Sequence, residues 1–146
     1  MAKTLEQKRA EYAFNIVKEI KDKSYDSDFS TLIAKMPSYI LTNGLGNTIA
    51  FLFSKGKEHH LIVLAIIADW VLRINKLNRS EKIERLRDNW IFSSNIRENF
   101  DEIIDKLVLN VDMRQYTFIT NELLALFVWL KRFCEGIIDK GRERNE

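Results

Sequence analysis

Apolar residues recur every three or four positions along most of this chain, which is the spacing of one face of an α-helix. The clearest stripe lies near the end of the sequence and comprises Ile119, Leu123, Leu126, Phe127, Leu130, Phe133, Cys134 and Ile137. No run of four or more residues alternates apolar and polar positions between turn signals, as a half-buried β-strand would. The pattern predicts an all-α fold with about six to seven helices.

Capping residues predict where several helices begin. Thr4 and Gln7 have the spacing of a capping box, in which each side chain bonds the backbone N–H of the other residue. This predicts a first helix from Thr4 to about Lys23. Asp112 is predicted to open the last helix, which carries the apolar stripe, and Asn99 to open a shorter helix just before it.

The only proline and an Asn-Gly pair divide an apolar stretch in the first half of the chain. Pro37 suits the first turn of a helix because its φ is fixed and it has no N–H, which predicts a helix over 38–43. Asn43-Gly44 supplies the left-handed stop that ends this helix. A short amphipathic helix over 29–36 is predicted before Pro37, and another helix over 45–55 is predicted after Gly44. Two apolar helices are thus predicted to meet at a corner in the core.

Beyond this corner, the sequence predicts a buried helix and then a polar region. Gly56 is expected to end the helix of the corner, and the apolar run 61–72 lies in the next helix. Asp69 inside this run needs a partner, and Arg73, four residues later, is placed to pair with it. Residues 80–90 are predicted to form a charged helix.

The composition is that of a soluble globular protein: 46% of the 146 residues are hydrophobic, 30% are charged and the formal net charge is +2. This length predicts a single domain over 1–146, with frayed ends at 1–3 and 141–146. Cys134 is the only cysteine, so no disulfide forms within the chain. There is no signal-peptide pattern, and the longest apolar run is too short to span a membrane. These features predict a cytoplasmic protein.

The sequence offers no recognisable catalytic or metal-binding set. His59 and His60 are adjacent, so on a helix they point about 100° apart and cannot hold one ion together. No cysteine or carboxylate stands at zinc-ligand spacing to either histidine. Cys134 lies in an apolar stripe, where a thiol serves as a small hydrophobic group. We therefore expect no metal, no cofactor and no enzymatic activity.

Two groups of basic residues are notable. The first recurs every three residues and comprises Arg73, Lys76, Arg79, Lys82 and Arg85. The second is the pair Lys131 and Arg132, which lies outside the apolar stripe of the last helix. Solvated helix faces are the default interpretation of such groups, and the composition allows nucleic-acid binding without requiring it.

Three segments of the chain together resemble one known family: 4–13, 36–55 and 120–133. The positions that match one by one are Arg9 to Ala13, Pro37, Asn43 to Leu45, Ala50 to Leu52 and Trp129 to Phe133. They resemble the small all-helical subunit of the Cmr complex, the type III-B CRISPR-Cas effector. Residues 79–96 depart from the family pattern and are expected to form a variable region.

The resemblance implies a protein without catalytic residues of its own. Such a subunit stacks in copies beside the backbone subunits, which hold the guide RNA and cleave target RNA. Its basic side chains contact the backbone of the bound target RNA. The implied partners are the other Cmr subunits, copies of itself, guide RNA and target RNA. The candidate RNA-binding residues are Lys55, Lys131, Arg132, Arg73, Lys76 and Arg79.

A second set of residues is expected to be structural and comprises Arg9, Pro37, Asn43, Gly44, Glu122 and Trp129. Within it, Arg9 and Glu122 each flank the apolar stripe of a terminal helix, so we expect them to contact each other. Two alternatives to the Cmr subunit stay open. One is a free-standing helical adaptor that binds a protein partner without RNA, and the other is a helical nuclease that uses His59 and His60.

Overall fold

The computed structural model describes residues 2–75 and 96–141. Five α-helices lie in these ranges: α1 (Leu5–Ile20), α2 (Asp26–Lys55), α3 (Glu58–Asn75), α4 (Phe100–Ile104) and α5 (Met113–Phe133). Two π-helical segments, Asp105–Leu109 and Cys134–Asp139, extend α4 and α5. The described residues contain no strand, which confirms the predicted all-α fold. The predicted helix over 80–90, nearly all of the region 79–96 and residues 142–146 lie outside the described ranges.

The predicted starts of α1 and α5 are confirmed by their caps. Thr4 Oγ1 accepts a hydrogen bond from the Gln7 N–H at 3.1 Å, and Gln7 Oε1 accepts from the Thr4 N–H at 2.9 Å. Asp112 and Gln115 form the same reciprocal pair at the start of α5. Asn99 precedes α4 as predicted, but its side chain makes no capping hydrogen bond to this helix.

α1 ends at Ile20 rather than near Lys23 because a tight turn begins there. Asp22 has a φ of 71°, which breaks the helical conformation. Its backbone N–H donates to the buried carboxylate of Asp26 at 3.0 Å. This bond stabilises the turn, and α2 therefore begins before the predicted Phe29.

The helices predicted over 29–36 and 38–43 are one continuous part of α2. Pro37 lies inside this helix, so the prediction that it begins a new one was wrong. An interior proline removes one backbone hydrogen bond and opposes the carbonyl four residues earlier. Ile33 and Ile40, two turns apart on one face, are both buried. Their packing on either side of Pro37 stabilises the helix despite the missing bond.

α2 changes direction at Gly44, where the predicted corner is found. Gly44 has φ 82° and ψ 160°, a conformation that is essentially restricted to glycine. The positive φ agrees with the prediction, but this ψ lies outside the left-handed helical region. The ring centroids of Tyr39 and Phe51 are 5.3 Å apart, whereas two residues twelve positions apart would be separated by about 18 Å along a straight helix. The first arm (26–43) and second arm (45–55) of α2 therefore turn toward each other.

α1 and α5 pack side by side and run parallel. Arg9 near the start of α1 contacts Glu122 in the first half of α5. Phe14, further along α1, contacts Phe133 at the end of α5, with ring centroids 5.4 Å apart. Most of the predicted apolar stripe is buried, from Ile119 to Leu130 together with Cys134, whereas Phe133 and Ile137 are half-buried. This burial places the pair of terminal helices over the core.

The first arm of α2 runs antiparallel to α5. The Ser30 hydroxyl donates to the Asp139 carboxylate at 2.9 Å, near one end of the pair. At the other end, the Gly46 N–H donates to the Tyr116 hydroxyl at 2.9 Å. The second bond satisfies a backbone donor at the start of the second arm that has no partner within the helix.

α3 is the most deeply buried helix. Every residue from 62 to 71 is buried, including Asp69. A helix that is apolar on all sides must be covered on all sides, and α3 packs against α2 and contacts α5. None of the described helices is long and apolar enough to cross a membrane.

Candidate nucleic-acid interface

A buried polar network joins α1, α3 and α5. The Arg9 guanidinium donates to both carboxylate oxygens of Glu122, at 2.6 and 2.7 Å. The indole N–H of Trp70 donates to the same carboxylate at 3.1 Å. Only 3% of the Glu122 side chain is exposed, so protein donors rather than water solvate its charge. The hydrogen bond with Glu122 raises the pKa of Arg9, which keeps the arginine charged. The predicted contact between Arg9 and Glu122 is present.

Arg73, one of the RNA-binding candidates, is held in an ion pair. Its Nε donates to Asp69 Oδ2 at 2.9 Å, as predicted from their spacing. The Tyr12 hydroxyl donates to the same oxygen at 2.7 Å, and the Tyr12 ring centroid lies 5.2 Å from the guanidinium. Burial raises the pKa of Tyr12 well above its ordinary value, so the hydroxyl keeps its proton. Arg73 is 42% exposed but already neutralises Asp69, which makes it a weaker candidate for RNA.

Lys131 and Arg132 are both exposed in the last turn of α5. Neither forms an ion pair with any residue that the structure describes. Consecutive residues on a helix point about 100° apart, so the two cations face different directions. Of the other candidates, Lys76 and Arg79 lie outside the described residues.

Lys55 lies apart from this pair. It is exposed in the last turn of α2, and its ammonium is 5.7 Å from the centroid of the Phe51 ring. Because the first arm of α2 runs antiparallel to α5, the end of α5 that carries Lys131 and Arg132 lies beside the first arm, whereas Lys55 ends the second arm. The described candidates are therefore distributed over three parts of the molecule rather than gathered in one cluster, since Arg73 lies near the end of α3 beside Tyr12.

The structure adds an aromatic cluster that the sequence analysis missed. It consists of Phe14, Trp129 and Phe133, with the Trp129 and Phe133 rings stacked at 5.9 Å. Phe14 is 40% exposed, and the Lys18 ammonium lies 5.1 Å from its ring centroid. Trp129, expected to be structural, is half-buried at the edge of this cluster. The i, i+4 spacing of Trp129 and Phe133 was the available signal, but their contact with Phe14 depends on how α1 packs on α5.

Comparison with known proteins decides the family. The sequence matches the model described as CRISPR-associated protein (Cas_Cmr5) over residues 5–137. The chain belongs to the Cmr5 family. Its fold is similar to that in an X-ray crystal structure of a CRISPR-associated Cmr5 family protein from Thermus thermophilus, with a TM-score of 0.64 and 24% identity. The comparison covers 94% of this chain and 99% of that one.

Membership of the Cmr5 family confirms the resemblance found in the sequence. The chain is the small helical subunit of the type III-B CRISPR Cmr complex, and the family implies association with other subunits of that complex. The matched residues include both arms of α2, the Arg9–Glu122 contact and the exposed pair Lys131 and Arg132.

Burial affects the histidines and the cysteine of this Cmr5-family chain. Burial lowers the pKa of both His59 and His60, which favours neutral imidazoles at neutral pH. His60 Nδ1 is buried without a hydrogen-bond partner among the described residues. Burial also raises the pKa of Cys134 to about 12, so its sulfur is a thiol rather than a thiolate. In the described part of the chain, no group of three or more His, Cys, Asp or Glu could hold a metal ion.

We expect Cys134 to make stability fall as pH rises from about 9 to 12. The folded protein holds the thiol proton up to a pKa of about 12, whereas the ordinary value is 9.0. The stabilisation is complete below pH 9 and is lost as pH rises through the folded pKa, since the unfolded chain releases this proton first. Urea unfolding across this range should show a shallower pH dependence for Cys134→Ala. The same slope in both proteins would show that the thiol is not shielded.

Proposed function

We propose that this Cmr5-family chain is a non-catalytic subunit of the RNA-guided, RNA-targeting Cmr complex. It packs in copies beside the backbone subunits in the cytoplasm and contacts guide and target RNA through basic side chains. The observation that carries the proposal is the exposure of Lys131 and Arg132 without an ion-pair partner among the described residues. Both residues lie within the segment that the family model matches.

The chemistry of these cations suits a contact that does not depend on RNA sequence. Phosphates attract lysine and arginine whatever base they carry, so such contacts position an RNA without reading it. No described acid neutralises Lys131 or Arg132, so their charge is available to a phosphate. Arg73 differs because its guanidinium is already bonded to Asp69. Pairing with the guide would supply the choice of sequence.

The absence of catalysis is part of the proposal. Its support is that Cys134 is a buried thiol whose pKa is raised to about 12, so it is not the thiolate that nucleophilic catalysis needs. The purified full-length chain should leave single-stranded RNA intact in the presence of Mg²⁺. Cleavage that disappears when His59 and His60 are replaced would instead favour the nuclease alternative.

Charge reversal at Lys131 and Arg132 tests the RNA contact. In the assembled complex, Lys131→Glu/Arg132→Glu should weaken target-RNA binding by about tenfold or more at low salt, because counterion release is lost and repulsion is gained. The slope of log affinity against log salt should fall by about one for each phosphate contact removed. Filter binding over a series of salt concentrations measures both quantities.

A matched control is Lys8→Glu/Lys35→Glu, which also reverses two exposed residues but at positions that are not RNA candidates. This control should leave the salt slope close to that of the unmodified complex. Equal slopes in all three complexes would contradict the RNA contact. Purification of the tagged chain with a single protein partner and without guide RNA would favour the adaptor alternative.

A further inference from the structure

A cleft lies on the inner side of the corner in α2. It is lined by Tyr39, Asn43, Asn47, Thr48 and Phe51 and has a volume of about 280 Å³. This volume is at the lower limit of small-molecule sites, which suits one ring system rather than a larger ligand. The cleft exists because Gly44 turns the second arm toward the first.

The two arms contribute one aromatic wall each. Tyr39 comes from the first arm and Phe51 from the second, and their rings meet edge to face. Both side chains are half-buried, so part of each ring faces the cleft or solvent. Unpaired RNA bases are bound in this way, by stacking on aromatic side chains while polar groups bond their edges.

Polar groups with unused bonding capacity stand beside these rings. Asn47 Nδ2 donates to the Asn43 carbonyl at 3.2 Å, which leaves Asn47 Oδ1 free to accept. Neither the Asn43 carboxamide nor the Tyr39 hydroxyl has a hydrogen-bond partner in residues 2–75 and 96–141. Both asparagines are exposed. Carboxamides carry donors and acceptors together, so they can pair with the edge of a nucleobase.

A cation completes the arrangement. The Lys55 ammonium lies 5.7 Å from the centroid of the Phe51 ring, one helical turn further along the second arm. Since ribose links the phosphate of a nucleotide to its base, a base against Phe51 would place a phosphate within reach of Lys55. The stacking surface, the carboxamides and the cation therefore occur together at one corner.

We propose that the corner cleft binds a single unpaired RNA base, with Phe51 and Tyr39 as its walls, Asn43 and Asn47 at its edge and Lys55 at its phosphate. This inference rests on the RNA contact proposed above and adds a second kind of contact to it. Lys131 and Arg132 would bind the RNA backbone, whereas the cleft would bind a base that has left the helical stack.

Mononucleotides test the cleft without depending on the contacts at Lys131 and Arg132. The full-length ¹⁵N-labelled chain is titrated with adenosine 5′-monophosphate, uridine 5′-monophosphate and ribose 5-phosphate, which lacks a base. We expect saturable shifts of the Thr48 and Phe51 backbone amides with at least one of the two nucleotides. Ribose 5-phosphate should not cause these shifts, because it has no ring to stack.

The variant Asn43→Ala/Asn47→Ala should weaken nucleotide binding by about fivefold to tenfold, because two hydrogen-bonding groups are lost. Asn121→Ala removes an exposed asparagine on α5 and should leave binding unchanged. Equal shifts with ribose 5-phosphate, or no saturable shift with either nucleotide, would overturn the base site. Such a result would contradict the base site but not the RNA contact of Lys131 and Arg132. Conversely, an unchanged salt slope in the charge-reversal test would contradict that RNA contact but not a base site detected by the nucleotide titration.

Discussion

Replacing Arg9 with methionine is expected to lower the free energy of unfolding by about 3 kcal/mol, the lower part of the range for breaking a buried ion pair. Glu122 is 3% exposed, and Arg9 supplies two of its hydrogen bonds. Without Arg9, the carboxylate keeps only the indole N–H of Trp70 among the donors described here. A buried charge with one remaining donor is strongly destabilising because water cannot replace the lost bonds.

Urea denaturation of Arg9→Met, Glu122→Leu and the double variant measures this effect. The double variant should be more stable than the sum of the single losses predicts, because it leaves no unpaired charge. Lys8→Met is the matched control, since Lys8 is the exposed neighbour of Arg9, and it should change stability by less than about 0.5 kcal/mol. Losses that simply add would show that Arg9 and Glu122 stabilise the fold independently.

The Arg9–Glu122 contact could be predicted because both residues flank an apolar stripe on a terminal helix. The spacing of the stripes indicated which faces α1 and α5 bury, and residues at the edges of two packed faces can reach each other. The part played by Trp70 could not be predicted in this way. Its indole is one apolar group among many in α3, and only the packing of three helices brings its N–H to the carboxylate.

At Pro37, packing in the core outweighs the local preference of proline for the start of a helix. On its own, a proline after an amphipathic segment favours a helix start, and this interpretation divided α2 into too many helices. The structure keeps one helix through Pro37 because apolar residues on both sides are buried in the same core. The sequence contains those residues but does not say that one helix carries them all.

Part of the candidate site could also be predicted from the sequence and part could not. The exposure of Lys131 and Arg132 followed from their position outside the stripe of α5, and it is found as predicted. The aromatic cluster and the corner cleft depend on contacts between segments that are distant in sequence or separated by a turn. Phe14 meets Phe133 across two helices, so no local pattern indicates that their rings touch.

Replacement of Gly44 by alanine is expected to lower the free energy of unfolding by about 2 kcal/mol, the cost of placing a side chain in a glycine-only backbone conformation. The space around this residue does not add to the cost. A Cβ at Gly44 would lie 3.7 Å from the Tyr116 hydroxyl, which is an ordinary contact. The loss therefore comes from the backbone at φ 82° and ψ 160°.

Gly136→Ala is the matched control, because Gly136 lies in the helical extension of α5 and nothing approaches a Cβ placed there within 4 Å. This variant should gain about 0.5–1 kcal/mol, since alanine restricts the unfolded chain more than glycine and favours the helix. Thermal unfolding should therefore show a lower melting temperature for Gly44→Ala and a higher melting temperature for Gly136→Ala than for the unmodified chain. If Gly44→Ala is as stable as the unmodified chain, the corner does not require a positive φ, and α2 can continue straight through residue 44. The Tyr39–Phe51 contact would separate in a straight helix, so the NMR shifts that these rings induce in one another would distinguish a straightened α2 from a strained corner.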